Sequence, residues 1–203
     1  MIHFELSDIE SWDRIYRANF INSLTGFKSV NLIGTVNEEG KTNLAIFSSI
    51  VHIGSNPALI GFINRPKTST THTLSNIEKT GVYTINQINS SFVKEAHQTS
   101  GKYPLEQSEF DVTGLTPKYI NDFKAPFVAQ SLVRVGLTLA QIIPISLNHT
   151  FLVIGKINHI QIEDTIPGED GFLSLNLADT ITSNGNDAYY TVKELVRLPY
   201  VKL

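Results

Sequence analysis

The chain has no cysteine among its 203 residues. That excludes disulfides, thiolate metal sites and cysteine nucleophiles together, and it leaves the redox compartment open. Positive charge is also thin: sixteen Lys and Arg stand against nineteen Asp and Glu, a formal net charge of −3. The basic residues are scattered, so no groove tracking a nucleic-acid backbone is expected. No stretch approaches the ~20 apolar residues of a membrane-spanning helix. Residues 1–19 carry Glu5, Asp8, Glu10 and Asp13 and no apolar run, which is unlike a signal peptide. The expectation is a cytoplasmic protein with neither a membrane nor a nucleic-acid partner.

The common catalytic signatures are missing as well. There is no G-x-G-x-x-G, no G-x-x-x-x-G-K-[ST], no H-E-x-x-H and no G-x-S-x-G, which removes Rossmann, P-loop, zincin and α/β-hydrolase readings. The six histidines (His3, His52, His72, His97, His149 and His159) stand apart without an i,i+4 pair, so no metal site is assigned. If the chain is an enzyme, a bound cofactor must carry the chemistry.

Hydrophobic residues at 41 % and charged residues at 17 % describe a globular chain. Its pattern is mainly β with short α segments, and no linker divides residues 1–203 into domains. An N-terminal helix is expected at about 7–22, a core at about 23–162 and a C-terminal extension at about 163–203. Ser7 or Asp8 would cap the helix, with Glu10 completing a capping box and Trp12 anchoring it to the core. Residues 29–37 and 42–53 read as a hairpin across the Glu38-Glu39-Gly40-Lys41 turn, and 58–64 as a buried strand. Thr73 or Ser75 would cap a short helix ending at Gly81, followed by a strand over 82–87 and a helix over 90–99. Residues 101–118 read as mostly irregular. Strand composition returns at 132–139, 151–162 and about 195–201, while 168–177 reads as a loop passing into a short helix. Many strands with few helices point to a β-barrel with helical decorations rather than βαβ units.

Hydroxyl and amide groups gather at strand ends. Asn43, Ser48 and Ser49 lie in the second strand, and residues 65–73 hold two cations and five hydroxyls in nine positions. Arg65, Lys67, Thr68, Thr70, Thr71 and Thr73 are the kinds of donor that a phosphate needs. The same composition also makes an ordinary hydroxyl-capped surface turn. The residues alone leave both readings open.

Resemblance adds to this. The ordered segments Ser23-Leu24-Thr25-Gly26-Phe27-Lys28, Val30-Asn31-Leu32-Ile33-Gly34-Thr35, Asn43-Leu44-Ala45-Ile46-Phe47-Ser48-Ser49 and Ser55-Asn56-Pro57 are followed by Thr73-Leu74-Ser75-Asn76-Ile77, Thr80-Gly81-Val82-Tyr83-Thr84-Ile85-Asn86 and Ala96-His97-Gln98-Thr99-Ser100. With Lys102-Tyr103-Pro104 and Glu109-Phe110, they make the stretch from 26 to 114 resemble the flavin reductase-like family of FMN-binding split barrels, and its flavoredoxin-type branch in particular. The likeness continues through Lys124-Ala125-Pro126-Phe127 and Val153-Ile154-Gly155-Lys156-Ile157. It implies that Asn43, Phe47, Ser48 and Ser49 line the flavin ring, and that Thr68 to Thr73 with Arg65 or Lys67 hold the phosphate. Lys102 would be a further phosphate or partner contact, and His97 a neighbour of the flavin or a nicotinamide.

The resemblance further implies a homodimer with FMN at the subunit interface, NADH or NADPH as electron donor, FAD as a further flavin substrate, and a flavin-dependent oxygenase or other redox partner. The reading is an NAD(P)H-dependent flavin reductase whose chemistry is carried by the flavin. The alternative is a non-catalytic FMN carrier or sensing module, and a third is a barrel for another planar ligand such as haem. The sequence departs from the family in three places, one of them the unusual Thr content of residues 68–73. Ala58 stands where a second Pro often follows Pro57, and residues 183–190 lack the His and Arg found in the tails of two-component monooxygenase reductases.

Overall fold

In the computed structural model, residues 1–68 and 72–201 are described. The candidate ligands Thr70 and Thr71 lie outside them. Strands β2 (Asn31–Val36) and β3 (Thr42–Phe47) form the expected hairpin, with Thr35 opposite Asn43. Asn37 closes its turn, because Oδ1 accepts from the Glu39 and Lys41 N–H groups at 3.0 and 2.8 Å. A side chain that satisfies two turn amides fixes the loop, and hence the register, without help from the core.

The segment 42–53 is not one strand. It breaks at Ser48 and Ser49 into β3 and β4 (Ile50–Ser55), which occupy opposite edges of one antiparallel sheet. Its other members are β5 (Ala58–Asn64), β6 (Val82–Gln87), β9 (Val133–Ile145) and β10 (Thr150–Ile162), in the order β3-β2-β6-β9-β10-β5-β4. A two-residue link between the two edges requires the sheet to curl on itself, and this produces the split barrel. The apolar pattern continues across the break, so periodicity could not reveal it. Ser49 takes the next register position beside β5: its Oγ donates to the Ile63 carbonyl at 3.0 Å and accepts from the Ile63 N–H at 3.2 Å.

Two apolar clusters lie on either side of β2, all six residues of which are buried. Inside the barrel are Ile33, Phe62, Tyr83, Ile85, Leu137 and Val153, closed over by Leu74 and Ile77 of α3 (Thr73–Thr80). On the other face Val30, Leu32 and Leu44 pack with Phe92, Ala96, Phe110 and Ile181. The elements covering that face are a 3₁₀ turn (Ser90–Phe92), α4 (Val93–Gln98) and α5 (Glu109–Thr113), the last within a stretch expected to be irregular. A two-strand ladder, β7 (Pro117–Lys118) with β8 (Phe127–Val128), flanks the barrel.

Several expected caps and ends move. The N-terminal helix divides into α1 (Leu6–Ser11) and α2 (Arg14–Leu24), because Trp12 is extended and Asp13 starts a second helix. Asp13 Oδ1 accepts from the Ile15 and Tyr16 N–H groups at 2.8 and 3.3 Å, and the capping box at the first helix is Glu5 with Asp8. Trp12 does not anchor to the barrel. Its ring meets Phe4, Phe20 and Tyr16 at 5.0, 4.8 and 5.2 Å, and no residue of either helix is buried. At α3 the N-cap is His72, and the Thr73 hydroxyl bonds to Asn43 instead; Gly81 ends the helix at φ +71 as expected.

Residues 168–177 make turns without a helix, with Gly171 at φ +81 and Pro167 bridged to Leu173. Residues 195–201 form no strand; Pro199 cannot donate to a ladder, and Leu195 is 97 % exposed. The C-terminal pairing comes earlier, as the hairpin β11 (Ile181–Asn184) and β12 (Ala188–Thr191), with β11 also on β1 (Lys28–Ser29).

Candidate functional site

Strand β3 brings the two predicted residue groups to one region. At its start Asn43 is 7 % exposed, and its Nδ2 donates to Thr35 Oγ1 and Thr73 Oγ1, each at 3.2 Å. Thr35 Oγ1 also accepts from Asn76 Nδ2 at 3.1 Å. These buried groups satisfy one another and pin the first turn of α3 against the sheet. At the far end of β3 come Phe47, edge-on to Phe62 at 5.0 Å, and the half-buried Ser48 and Ser49. Ser49 is bonded to Ile63, one residue before the end of β5. The loop from Arg65 to His72 therefore leaves β5 near Ser49 and returns at Asn43. Asn43 lies in β3 and Ser49 just past its end, six residues further along the chain.

The two candidate cations differ in state. Lys67 Nζ lies 2.7 Å from both carboxylate oxygens of Glu78 on α3, so its charge is already compensated. Arg65 is exposed and forms no ion pair among the described residues; its Nη2 donates to the neutral Asn186 Oδ1 at 3.3 Å. Thr68 is exposed on the same loop. The first turn of α3 holds no acidic residue, and His72 adds no side-chain cap. A guanidinium without an ion-pair partner among the described residues, the exposed Thr68 and a first helical turn without an acidic residue suit a phosphate monoester. The donor set thus fits the phosphate end of FMN.

Neither His97 nor Lys102 forms a hydrogen bond or ion pair with residues 65–68 among the described residues. His97 Nδ1 lies 2.7 Å from the Tyr189 hydroxyl on β12, which joins α4 to the C-terminal hairpin. Lys102 is exposed in the loop after α4. Two residues that the sequence reading missed bear on the region. Asn186 sits in a short polar turn whose only signal is Gly185-Asn186-Asp187. Glu109, 6 % exposed, accepts the Leu44 N–H at 2.8 Å and thereby covers the open edge of β3. Burial pushes the Glu109 carboxyl above the ordinary glutamate range, opposed by that hydrogen bond and by nearby His72. His72 Nε2 is buried without a partner among the described residues, and both side chains line a small cleft beside Asn43 and Asn76.

A family model for the flavin reductase like domain matches residues 25–180. Among solved structures, a split-barrel-domain protein from Shewanella frigidimarina NCIMB 400, assigned as a flavin reductase, is 46 % identical, with 99 % of this chain and 100 % of that one covered and a TM-score of 0.96. Component B of nitrilotriacetate monooxygenase from Bacillus cereus shares the fold at 19 % identity, 98 % of each chain covered and a TM-score of 0.86. Flavoredoxin of Desulfovibrio vulgaris (Miyazaki F) shares it at 24 % identity, 86 % and 91 % covered, with a TM-score of 0.72.

Proposed function

The chain belongs to the flavin reductase like family, and on that premise we propose that it is an FMN-binding oxidoreductase that takes electrons from NADH or NADPH. The observation that carries the reading is the state of Arg65. It is a cation without a carboxylate partner among the described residues, placed at the end of β5 where a hydroxyl-bearing loop begins. Arg65, Thr68, Thr70, Thr71 and the start of α3 would hold the phosphate. The link at Ser48 and Ser49, with Phe47 behind it, would line the ring. Asn43 acts through Thr73: its buried amide keeps the first turn of α3 in place for the loop that the anion needs. Lys67 sets the loop's course through Glu78 and contributes little charge of its own.

Bound FMN supplies hydride and single-electron chemistry, which spares the protein an acid or base of its own. The chain's residues would bind the cofactor and orient it. The acceptor would be free flavin, FAD included, or a separate redox protein such as an oxygenase. We further infer a homodimer. The chain exposes 12616 Å² of accessible surface, where a compact protein of 22.5 kDa has about 9,500 Å².

The test is the absorbance spectrum of the purified protein, FMN titration after the flavin is stripped, and steady-state oxidation of NADH and NADPH. A flavin spectrum, saturable FMN binding and turnover with one donor are expected; no binding of FMN would sink the reading. A second reading, an FMN carrier without turnover, is favoured by one feature. His97, the candidate nicotinamide neighbour, is bonded to Tyr189. FMN binding with no turnover from either donor would decide for it.

A further inference from the structure

The hairpin that ends in Arg65's partner is anchored more firmly than its exposed tip suggests. Ile181 and Ser183 are 3 % and 2 % exposed, and the Ile181 N–H donates to the Ile88 carbonyl at 3.1 Å. Thr180 Oγ1 donates to Gln87 Oε1 at 2.9 Å, and β11 is paired on both sides, with β1 and β12. Gly185, at φ +65, turns the chain back. The turn delivers Asn186 to a side chain 121 residues away in sequence, at a loop that β11 and β12 otherwise do not build. Tyr189 bonded to His97, and Tyr190 edge-on to Phe27 at 4.8 Å, brace the returning strand.

We propose that Asn186 is a positioning residue for Arg65, aiming its guanidinium while leaving the charge uncompensated, so that the C-terminal hairpin sets the preference of the site for a phosphorylated flavin. This rests on the FMN reading above. The chemistry turns on amide against carboxylate. Arg carries five N–H donors in a planar fork, and an amide oxygen occupies one of them without cancelling the positive charge. The remaining donors are then held ready for a bidentate contact with an anion, and ordering them beforehand lowers the loss of freedom on binding. A carboxylate at the same place would make Arg65 what Lys67 already is, a cation paired within the protein. A carboxylate is in fact available at the neighbouring position, Asp187, yet the amide is the group that meets the guanidinium.

The experiment compares FMN with riboflavin, which lacks the phosphate, in the full-length protein stripped of flavin. Kd values are measured by fluorescence quenching for the wild type, Asn186→Asp, Asn186→Ala and Arg65→Ala, and for the double variant Arg65→Ala with Asn186→Asp. Asn186→Asp is expected to weaken FMN about tenfold, by pairing with Arg65 and repelling the phosphate, and to leave riboflavin unchanged. Asn186→Ala should weaken FMN by roughly two- to fivefold, because only the aiming is lost. In the Arg65→Ala background the effect of Asn186→Asp should shrink, and added salt should blunt it in the protein that keeps Arg65. A second readout needs no flavin: thermal stabilisation of the apo-protein by inorganic phosphate should fall in both single variants at Asn186.

Equal loss of FMN and riboflavin would mean that the turn is merely structural and would overturn the proposal. So would FMN binding by both Asn186 variants at wild-type strength. Failure of the wild type to bind FMN at all is a different outcome, and it sinks the prior reading of the site.

Discussion

Two buried side chains show how far single groups bear on this fold. The Tyr83 hydroxyl lies in the barrel interior with no partner among the described residues, and burial raises its pKa far above that of free tyrosine. An unpaired buried hydroxyl destabilises the folded state. Tyr83→Phe, which keeps the ring against Phe62, should therefore raise the urea-unfolding free energy by about 1 kcal/mol with an unchanged denaturant slope. Glu109 makes the complementary case. Its folded-state pKa is raised, so the folded protein holds that proton more tightly than the unfolded chain does. The associated stability is fully present below the ordinary value of 4.5 and is lost as pH rises through the folded-state value. Glu109→Gln keeps an oxygen for the Leu44 N–H and cannot titrate, so its unfolding midpoint should vary less between pH 4.5 and neutrality than that of the wild type. The cations and hydroxyls of residues 65–73 were readable from sequence. The pairing of Lys67 with Glu78 was not, because it depends on α3 folding back beside the loop.

Elements whose periodicity is strong were legible to the residue. Strands β5 and β6 match the expected 58–64 and 82–87 at both ends, and β10 differs from 151–162 by one residue. The misses have a common physical cause: which edge a strand joins is a tertiary choice. Residues 42–53 read as one strand because nothing local marks Ser48 and Ser49 as the link between the two edges of the sheet. Residues 181–191 are polar and short, and they become a hairpin only because β1 offers an edge. Ser49 allows a direct test of barrel closure. Ser49→Ala leaves the Ile63 N–H and carbonyl without their side-chain partner. It should lower stability by about 2 kcal/mol and speed amide exchange at Ile63, whereas Ser48→Ala should stay within about 0.5 kcal/mol. Equal effects of the two substitutions would show that Ser49 does not close the barrel.

At the scale of the whole molecule, the accessible surface of 12616 Å² is larger than a compact protein of this mass presents. The excess over a compact protein of this mass is about 3,000 Å², more than the ~800 Å² per partner that a standard interface buries. It is not spread evenly. Helix α2 buries none of its residues, yet carries Ile15 at 63 %, Tyr16 at 52 % and Leu24 at 64 % exposure, and Phe27 follows it at 65 %. The C-terminal residues Leu195, Leu198 and Tyr200 are 97 %, 76 % and 90 % exposed on a segment without helix or strand. If the chain forms the proposed dimer, these exposed apolar side chains are the surface a second copy would cover. Light scattering should give a mass of about twice 22.5 kDa for the flavin-loaded protein, as expected for a two-fold dimer. Replacing both Ile15 and Leu24 by Glu puts charge on α2 without disturbing either buried cluster, so it should shift the protein toward monomer while leaving its circular dichroism unchanged. The same variant separates assembly from cofactor binding. If flavin sits against the partner subunit, FMN affinity should become dependent on protein concentration once the dimer is weakened. A wild-type monomer that retains FMN would refute the dimer and place the entire binding site within one chain.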